Sequence, residues 1–279
     1  MTSRFALQTF TVRKFLKSPA DIESGFARIR KAGLGAIELA YIKLGQDEIN
    51  AVERACKSND IVVGSSQITF DYLDKKRDWV VRFHEQLDCR LASVSVLPFK
   101  VIRGGRDQLL GFAGQLEKLG AWYRERGVQL CFHHHDFEFR HYGDDVGLDL
   151  LLANTTPENV GLELDTYWAA RGGRSPQDMI GDLAGRVKVV HLRDFRLRWK
   201  LLGLRPIDCE IGNGNLDFRR IVDRCCESGV RFMAIEQATA KPWESVDASV
   251  AHLRELGLSL IHISEPTRRR DSSRMPSSA

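Results

Sequence analysis

The sequence predicts an α/β fold, a single closed (β/α)8 barrel, on three observations. Eight short apolar runs alternate with helical patterns over roughly 258 residues, the size of one such barrel. The first run is followed by Thr11-Val12-Arg13-Lys14, without the glycine-rich turn that opens a doubly wound nucleotide-binding sheet. Four of the later runs stop on residues that bind metals or move protons, as expected where parallel strand ends converge on one face.

The elements follow in order. Arg4-Phe5-Ala6-Leu7-Gln8-Thr9-Phe10 is a strand pattern. Ser18-Pro19-Ala20-Asp21 opens a helix, with serine as cap and proline at the first helical position. Ile22, Phe26, Ile29 and Ala32 repeat at helical spacing, and Gly33 stops them. Residues 35–40 form the second strand, 46–58 a helix and 61–65 the third strand. Residues 75–87 are a helix carrying Trp79, Val80 and Phe83, and 90–96 are the fourth strand. Residues 108–126 make a long amphipathic helix with Leu109, Phe112, Leu116, Leu119 and Trp122 along one side. The fifth strand, 128–132, is followed by a short helix over 148–153, and the sixth ends at Asp165. Ser175 opens a helix over 176–183, and the seventh strand ends at His191. Gly229 stops a helix over 217–228, the eighth strand ends at Glu236, and 244–255 close the set.

Composition narrows the class. Apolar residues are 43% and charged residues 28%, the balance of a soluble globular protein. A net charge of +4 implies no polyanionic partner, so nucleic acid is not expected. No apolar run reaches the ~18 residues of a membrane span. The six cysteines form no CxxC pair and no secretory signal precedes them, so a cytoplasmic location is expected. Residues 259–279 lack periodicity and end rich in arginine and serine. They resemble translated sequencing-adapter read-through, so the barrel is expected to occupy 1–258. Truncation after Leu258 should leave the melting temperature and activity unchanged within error. A loss of several degrees would mean that the tail packs on the fold.

The chemistry gathers at Phe132-His133-His134-His135-Asp136-Phe137-Glu138-Phe139, where an apolar strand runs into a loop dense in imidazoles and carboxylates. Strand alternation puts His133 and His135 on one face and His134 on the other. Later strands end at Asp165, His191 and Glu236, and Glu38 lies near the end of the second. A barrel brings such ends together as one metal site. Mixed carboxylate and imidazole donors suit Mn²⁺, Mg²⁺, Co²⁺ or Zn²⁺. Asp194, in His191-Leu192-Arg193-Asp194, is placed to orient an imidazole or meet substrate. Phe10, Trp168 and Phe137 are candidate aromatic walls of the site. Gly212-Asn213-Gly214 and Arg103-Gly104-Gly105-Arg106 are candidate phosphate loops.

These motifs, with Leu162-Glu-Leu-Asp-Thr-Tyr-Trp168, Ile211-Gly-Asn-Gly-Asn-Leu-Asp-Phe218 and Ile235-Glu-Gln237, resemble the sugar phosphate isomerase/epimerase family, the xylose isomerase-like TIM barrels. The resemblance covers Phe5 to about Leu258. It implies a divalent metal held by Glu, Asp, His and Glu, of which Asp165, His191 and Glu236 match the last three. Relatives end the fifth strand in Glu where this chain has His133. Glu138 is taken as the remaining ligand, with His133 or His135 as alternatives. The implied chemistry is proton abstraction beside a metal-gripped carbonyl or hydroxyl, through an enediolate, giving isomerisation or epimerisation of a sugar or sugar phosphate. His135 is the first candidate for the proton-transfer group, with His133, Glu138 and Glu236 as further ones. A lyase or dehydratase acting on a keto-sugar, keto-inositol or C-glycoside is the alternative, and a non-catalytic sugar-binding barrel is a third reading. The expected partner is a small sugar or polyol, with a second copy of the chain as a further possibility.

Overall fold

Short runs of valine, isoleucine, leucine and alanine cannot bury both their faces alone, so they pair and are then covered by helices. In the computed structural model, which describes residues 4–258, they pair into a closed barrel. Its strands are β1 (Arg4–Gln8), β2 (Ala36–Leu39), β3 (Val62–Ile68), β4 (Leu91–Val94), β5 (Gln129–His133), β6 (Val160–Asp165), β7 (Val187–Leu192) and β8 (Phe232–Ile235). Each pairs in parallel with the next, and β8 closes on β1 through Phe5↔Met233 and Ala6↔Ala234. The fold expected from the sequence is therefore the fold observed. The expected tail, 259–279, lies outside the described residues.

Local signals explain several boundaries. Ser18 caps the helix Pro19–Ala32 in a reciprocal box with Asp21, and Gly33 ends it at φ 99°. Asp217 caps Phe218–Glu227 through the Arg220 N–H at 3.1 Å. Other elements differ from expectation. The helix expected over 75–87 is two helices, Phe70–Lys75 and Arg77–Gln86. β3 runs to Ile68, three residues beyond the predicted end. An antiparallel hairpin, Asp194–Lys200 with Gly203–Cys209, rises after β7 and was not expected. Its alternation places Phe195, Leu197 and Trp199 on one face and Arg196, Arg198 and Lys200 on the other, but Leu201-Leu202 at the turn gives no turn signal.

The barrel interior is layered by the two-residue strand period. Toward the N-terminal strand ends, Ala6, Ala36 and Ala234 pack with Phe232, and Leu91, Cys131 and Val189 fill the rest. A Cβ on Gly64 would lie 2.6 Å from the Phe232 ring, so glycine makes room for this plug. One step along each strand the interior turns polar.

One buried imidazole outside that interior carries a pH prediction. His84, on the helix Arg77–Gln86, is 2.8 Å from Ser66 Oγ and 3.2 Å from the Cys89 carbonyl. Burial pushes its pKa down to about 4 from 6.5. Between those values the unfolded chain takes up a proton that the fold refuses, so stability falls as pH falls. This group alone should cost about 2 kcal/mol between pH 7 and pH 5. His84→Gln, although less stable at pH 7, should show a shallower fall in urea midpoint over that interval. An unchanged slope would mean that His84 is protonated in the fold.

Candidate metal centre and active site

Alternation on β5 and beyond sends His133 and His135 toward the cavity and His134 away from it, as the sequence suggested. His134 Nε2 accepts the Asp165 N–H at 3.1 Å, so its Nδ1 donates to the His135 carbonyl at 3.1 Å. That imidazole fixes the backbone that presents Asp165. On β6 Glu163 and Asp165 share the interior face, two residues apart, and both are fully buried. β7 contributes His191, followed by Arg193, and β8 leads into Glu236.

His191 is the hub. Its Nε2 lies 2.8 Å from Glu38 Oε1 and 3.0 Å from Glu163 Oε1. With Nε2–H donating to these carboxylates, the Nδ1 lone pair faces the other way. There it meets Glu236 Oε2 at 2.8 Å and Asp165 Oδ2 at 3.9 Å. The 2.8 Å approach lacks hydrogen-bond alignment, because His191 Nδ1 and Glu236 Oε2 are both buried without a partner. His133 Nδ1 is likewise unpartnered, 3.4 Å from Glu163 Oε1. Ligand atoms of His133, Asp165 and His191 lie within 4.8 Å of one another, and so do those of Glu38, Glu163 and His191.

The electrostatics favour a cation. Glu38, Glu163, Asp165 and Glu236 are buried together, with Arg193 as the one permanent positive charge in contact with them among the described residues. Arg193 reaches Asp165 at 3.3 Å, Glu236 at 3.6 Å and both oxygens of Asp208 at 3.0 and 3.1 Å. Burial, with the charge of Glu163 added, raises Glu38 to about 7. Burial, partly offset by Arg193 and reinforced by Glu236, raises Asp165 to about 6. At Glu236 the penalty of burial is overcome by Arg193 and His191, which hold it down at about 2. At Glu163 burial is outweighed by His191 and by hydrogen bonds from Ser93 and Gln67, and the pKa falls. His191 is raised well above 6.5, because Glu38 and Glu163 outweigh its desolvation. A proton and a divalent cation therefore compete for its Nδ1.

The unpartnered donor atoms test whether a metal fits. His133 Nδ1, His191 Nδ1 and Glu236 Oε2 are unpartnered, and with Asp165 Oδ2, which Arg193 holds at 3.3 Å, they offer two nitrogens and two oxygens, a set that suits the divalent ions expected from the sequence. Glu38 and Glu163 orient His191 from behind, the arrangement that fixes a ligating imidazole's tautomer.

A cavity of about 640 Å³ opens above this layer. His133, His135, Arg193, Glu236, Gln8, Gln67, Phe10 and Trp168 are among its walls. The His135 ring stacks on Phe137 at 5.0 Å and tilts against Trp168 at 5.3 Å, and its Nδ1 has no partner. Burial lowers its pKa to about 4, against the opposing charge of Glu236, so it stands neutral with a basic nitrogen free.

The structure places several expected site features elsewhere than the sequence suggested. Glu138 is not brought to the cluster. The turn Phe137–Phe139 aims its carboxylate back at the His135 N–H, at 2.8 Å, and burial raises it to about 8. Glu38 is fully buried and off the cavity wall, bonded by Ser65 Oγ at 2.6 Å and by His191. Asp194 is off the wall too. It accepts the N–H groups of Phe195, Gly212, Gly214, Asn215 and Leu216, and so shapes that loop from inside. A Cβ on Gly214 would collide with the Asp194 carboxylate, so this close approach requires glycine. The loop's amides are spent on Asp194, which removes Gly212-Asn213-Gly214 as a phosphate site. Phe137 stacks on His135 and is not part of the wall.

Sequence reasoning missed Glu163, Gln67, Ser93 and Arg193. The spacing of Glu163 and Asp165 by two was the available signal, because it places both carboxylates on one strand face.

The chain matches a known family. A model of the xylose isomerase-like TIM barrel matches residues 26–256. An inosose dehydratase from Lacticaseibacillus casei is 28% identical over 151 residues, 49% of this chain and 49% of that protein. The chain spans about half the length of the curated relatives it matches. Among solved structures, a sugar phosphate isomerase/epimerase from Parabacteroides distasonis superposes with a TM-score of 0.71 at 22% identity, covering 91% of this chain and 94% of that one. A xylose isomerase-like TIM barrel protein from Mycobacterium smegmatis, in complex with magnesium, gives 0.70 at 12% identity, covering 92% and 98%. The chain belongs to the xylose isomerase-like TIM barrel family.

Proposed function

We propose that this chain is a divalent-metal-dependent enzyme that removes a proton next to a carbonyl or hydroxyl of a keto-sugar or polyol. The reading rests on one observation: ligand atoms of His133, Asp165 and His191 cluster within 4.8 Å, Glu236 Oε2 lies 2.8 Å from His191 Nδ1, and His133 Nδ1, His191 Nδ1 and Glu236 Oε2 are unpaired beside a cavity wall that carries His135. His133 takes the place assigned from the sequence to Glu138. A divalent ion held there supplies Lewis acidity, which polarises the carbonyl and acidifies the neighbouring C–H. Neutral His135, on the cavity wall, accepts that proton. Arg193, anchored by Asp208, keeps Asp165 and Glu236 ionised and in place. Trp168 shields the site and offers a face to the sugar's C–H groups.

Returning the proton to the neighbouring carbon, or to the opposite face, gives isomerisation or epimerisation. A second reading, elimination of water, is supported by two features. The end of β5 offers the imidazoles His133 and His135, and an inosose dehydratase is among the relatives. Deuterium exchange separates these outcomes. Metal-loaded chain in D₂O should label ketohexoses or a keto-inositol at the carbon beside the carbonyl, and chelation should stop the labelling. Labelling without loss of water favours isomerase or epimerase chemistry, and a new conjugated enone absorbance favours the dehydratase. Stoichiometric sugar binding without exchange on any of these compounds would leave a non-catalytic sugar-binding barrel.

A further inference from the structure

The cavity has two unlike halves. Strand order places the ends of β5 to β8 on one side, with His133, His135, Arg193 and Glu236. The ends of β1 to β4 form the other side, where Phe10, Tyr41, Ile42, Leu44, Ile68 and Tyr72 make an apolar wall. We propose that this second side is a subsite for an apolar planar group, and that the substrate is an uncharged sugar or polyol carrying such a substituent. The polar end of that substrate rests on the function proposed above; the apolar subsite stands on its own geometry.

Size is the first support. Even at the ~30 Å³ that a water molecule takes in the liquid, the roughly twelve heavy atoms of a hexose need only about 360 Å³. The cavity holds about 640 Å³, so a simple sugar leaves the apolar side unfilled.

Tyr41 is the second. Its ring is 72% exposed at the cavity edge and packs against Phe10 at 4.9 Å. Its backbone is left-handed, at φ 57°, where a bulky side chain is strained. Strain of this kind gathers at ligand clamps. An aromatic held out at such an angle over a second aromatic offers a platform for a flat apolar group.

Charge is the third. Among the lining residues Arg193 is the only lysine or arginine, and it is shared by Asp208, Asp165 and Glu236. The Gly212 and Gly214 amides are spent on Asp194. Apart from the proposed divalent ion, a phosphate entering this cavity beside Glu236 would meet no lining lysine or arginine that is free of carboxylates, so a phosphorylated sugar is disfavoured.

Calorimetry on the full chain with Mn²⁺ tests the subsite, using methyl β-D-glucoside, phenyl β-D-glucoside and glucose 6-phosphate as probes. The phenyl glucoside should bind at least tenfold more tightly than the methyl glucoside, and glucose 6-phosphate no more tightly than the methyl compound. Tyr41→Ala should cut the phenyl advantage to under threefold. Equal affinity for the two glucosides, no binding of the phenyl glucoside, or tightest binding of the phosphate would each overturn the proposal. Repeating the titration after chelation separates the two readings. A phenyl advantage that survives without metal supports the subsite whatever the proton-exchange assay gives. A lost advantage with metal-dependent exchange intact sinks the subsite alone.

Discussion

Asp165→Asn and Glu236→Gln are each expected to lower divalent-ion affinity by about 100-fold or more and to abolish turnover. Substitutions one layer further out already cost 10–100-fold in known metal sites, so loss of a ligand should cost at least that. The Asp165 change isolates charge from structure. Asp165 also caps the helix Thr166–Arg171 by accepting the Trp168 N–H at 2.9 Å. Asparagine caps about as well as aspartate, so this helix start should persist. The metal-free variant should be no less stable than metal-free wild type. Burial, with the charge of Glu236 added and that of Arg193 opposing, raises the Asp165 pKa to about 6, so the fold resists its charge. Relief of that desolvation should raise the metal-free melting temperature by roughly 2–4 °C for each kcal/mol recovered. Elemental analysis after dialysis is the direct check. Wild-type metal content in both variants would remove these residues from the ligand set.

The barrel was legible because its signal is repeated eight times and each repeat is local. A run such as Val187-Lys-Val-Val-His191 is read as a strand from its own residues, and parallel order follows from the helices between runs. The ends at Asp165, His191 and Glu236 were legible for the same reason, since an apolar run that stops on a ligand-type residue is visible along the chain. The polar interior layer was not. Glu163 shares a face with Asp165 in Val160-Gly-Leu-Glu-Leu-Asp165, but a strand apolar on its other face too does not say which face looks inward. Only barrel closure fixes that face, and closure is a property of all eight strands. Ser65, Gln67 and Ser93 were hidden likewise: short polar residues in a strand read as solvent-facing until the interior is known to hold Glu38 and Glu163. Glu138 failed for a local reason. Two residues after His135 the chain enters the 3₁₀ turn Phe137–Phe139, which closes the carboxylate onto a backbone N–H instead of the metal side. Alternation was sound for His133 to His135, just past the end of β5, and stopped applying where that turn began.

The end of β5 is where ligand and base should separate by substitution. His133→Phe keeps a flat ring in the space beside His135 and His191, whose ring centroids lie 4.8 and 4.6 Å away, but removes both nitrogen donors. It should lose metal and activity together. His135→Gln should keep the metal, because the proposed donors are His133, Asp165, His191 and Glu236, and lose roughly 10²–10⁴-fold in turnover, the usual contribution of a general acid or base. Glu138→Gln should keep the metal. Its amide oxygen can still accept the His135 N–H, and the side chain carries no charge to the cluster. Its effect on turnover should be small, because the loop that aims His135 is preserved. Metal content and single-turnover deuterium exchange, measured on the three variants side by side, separate the roles. Should Glu138→Gln lose the metal while His133→Phe retains it, the carboxylate is the ligand after all, and the loop must rearrange when the ion binds. Should His135→Gln exchange protons at the wild-type rate, the base lies elsewhere, and Glu236, on the same cavity wall, becomes the residue to test.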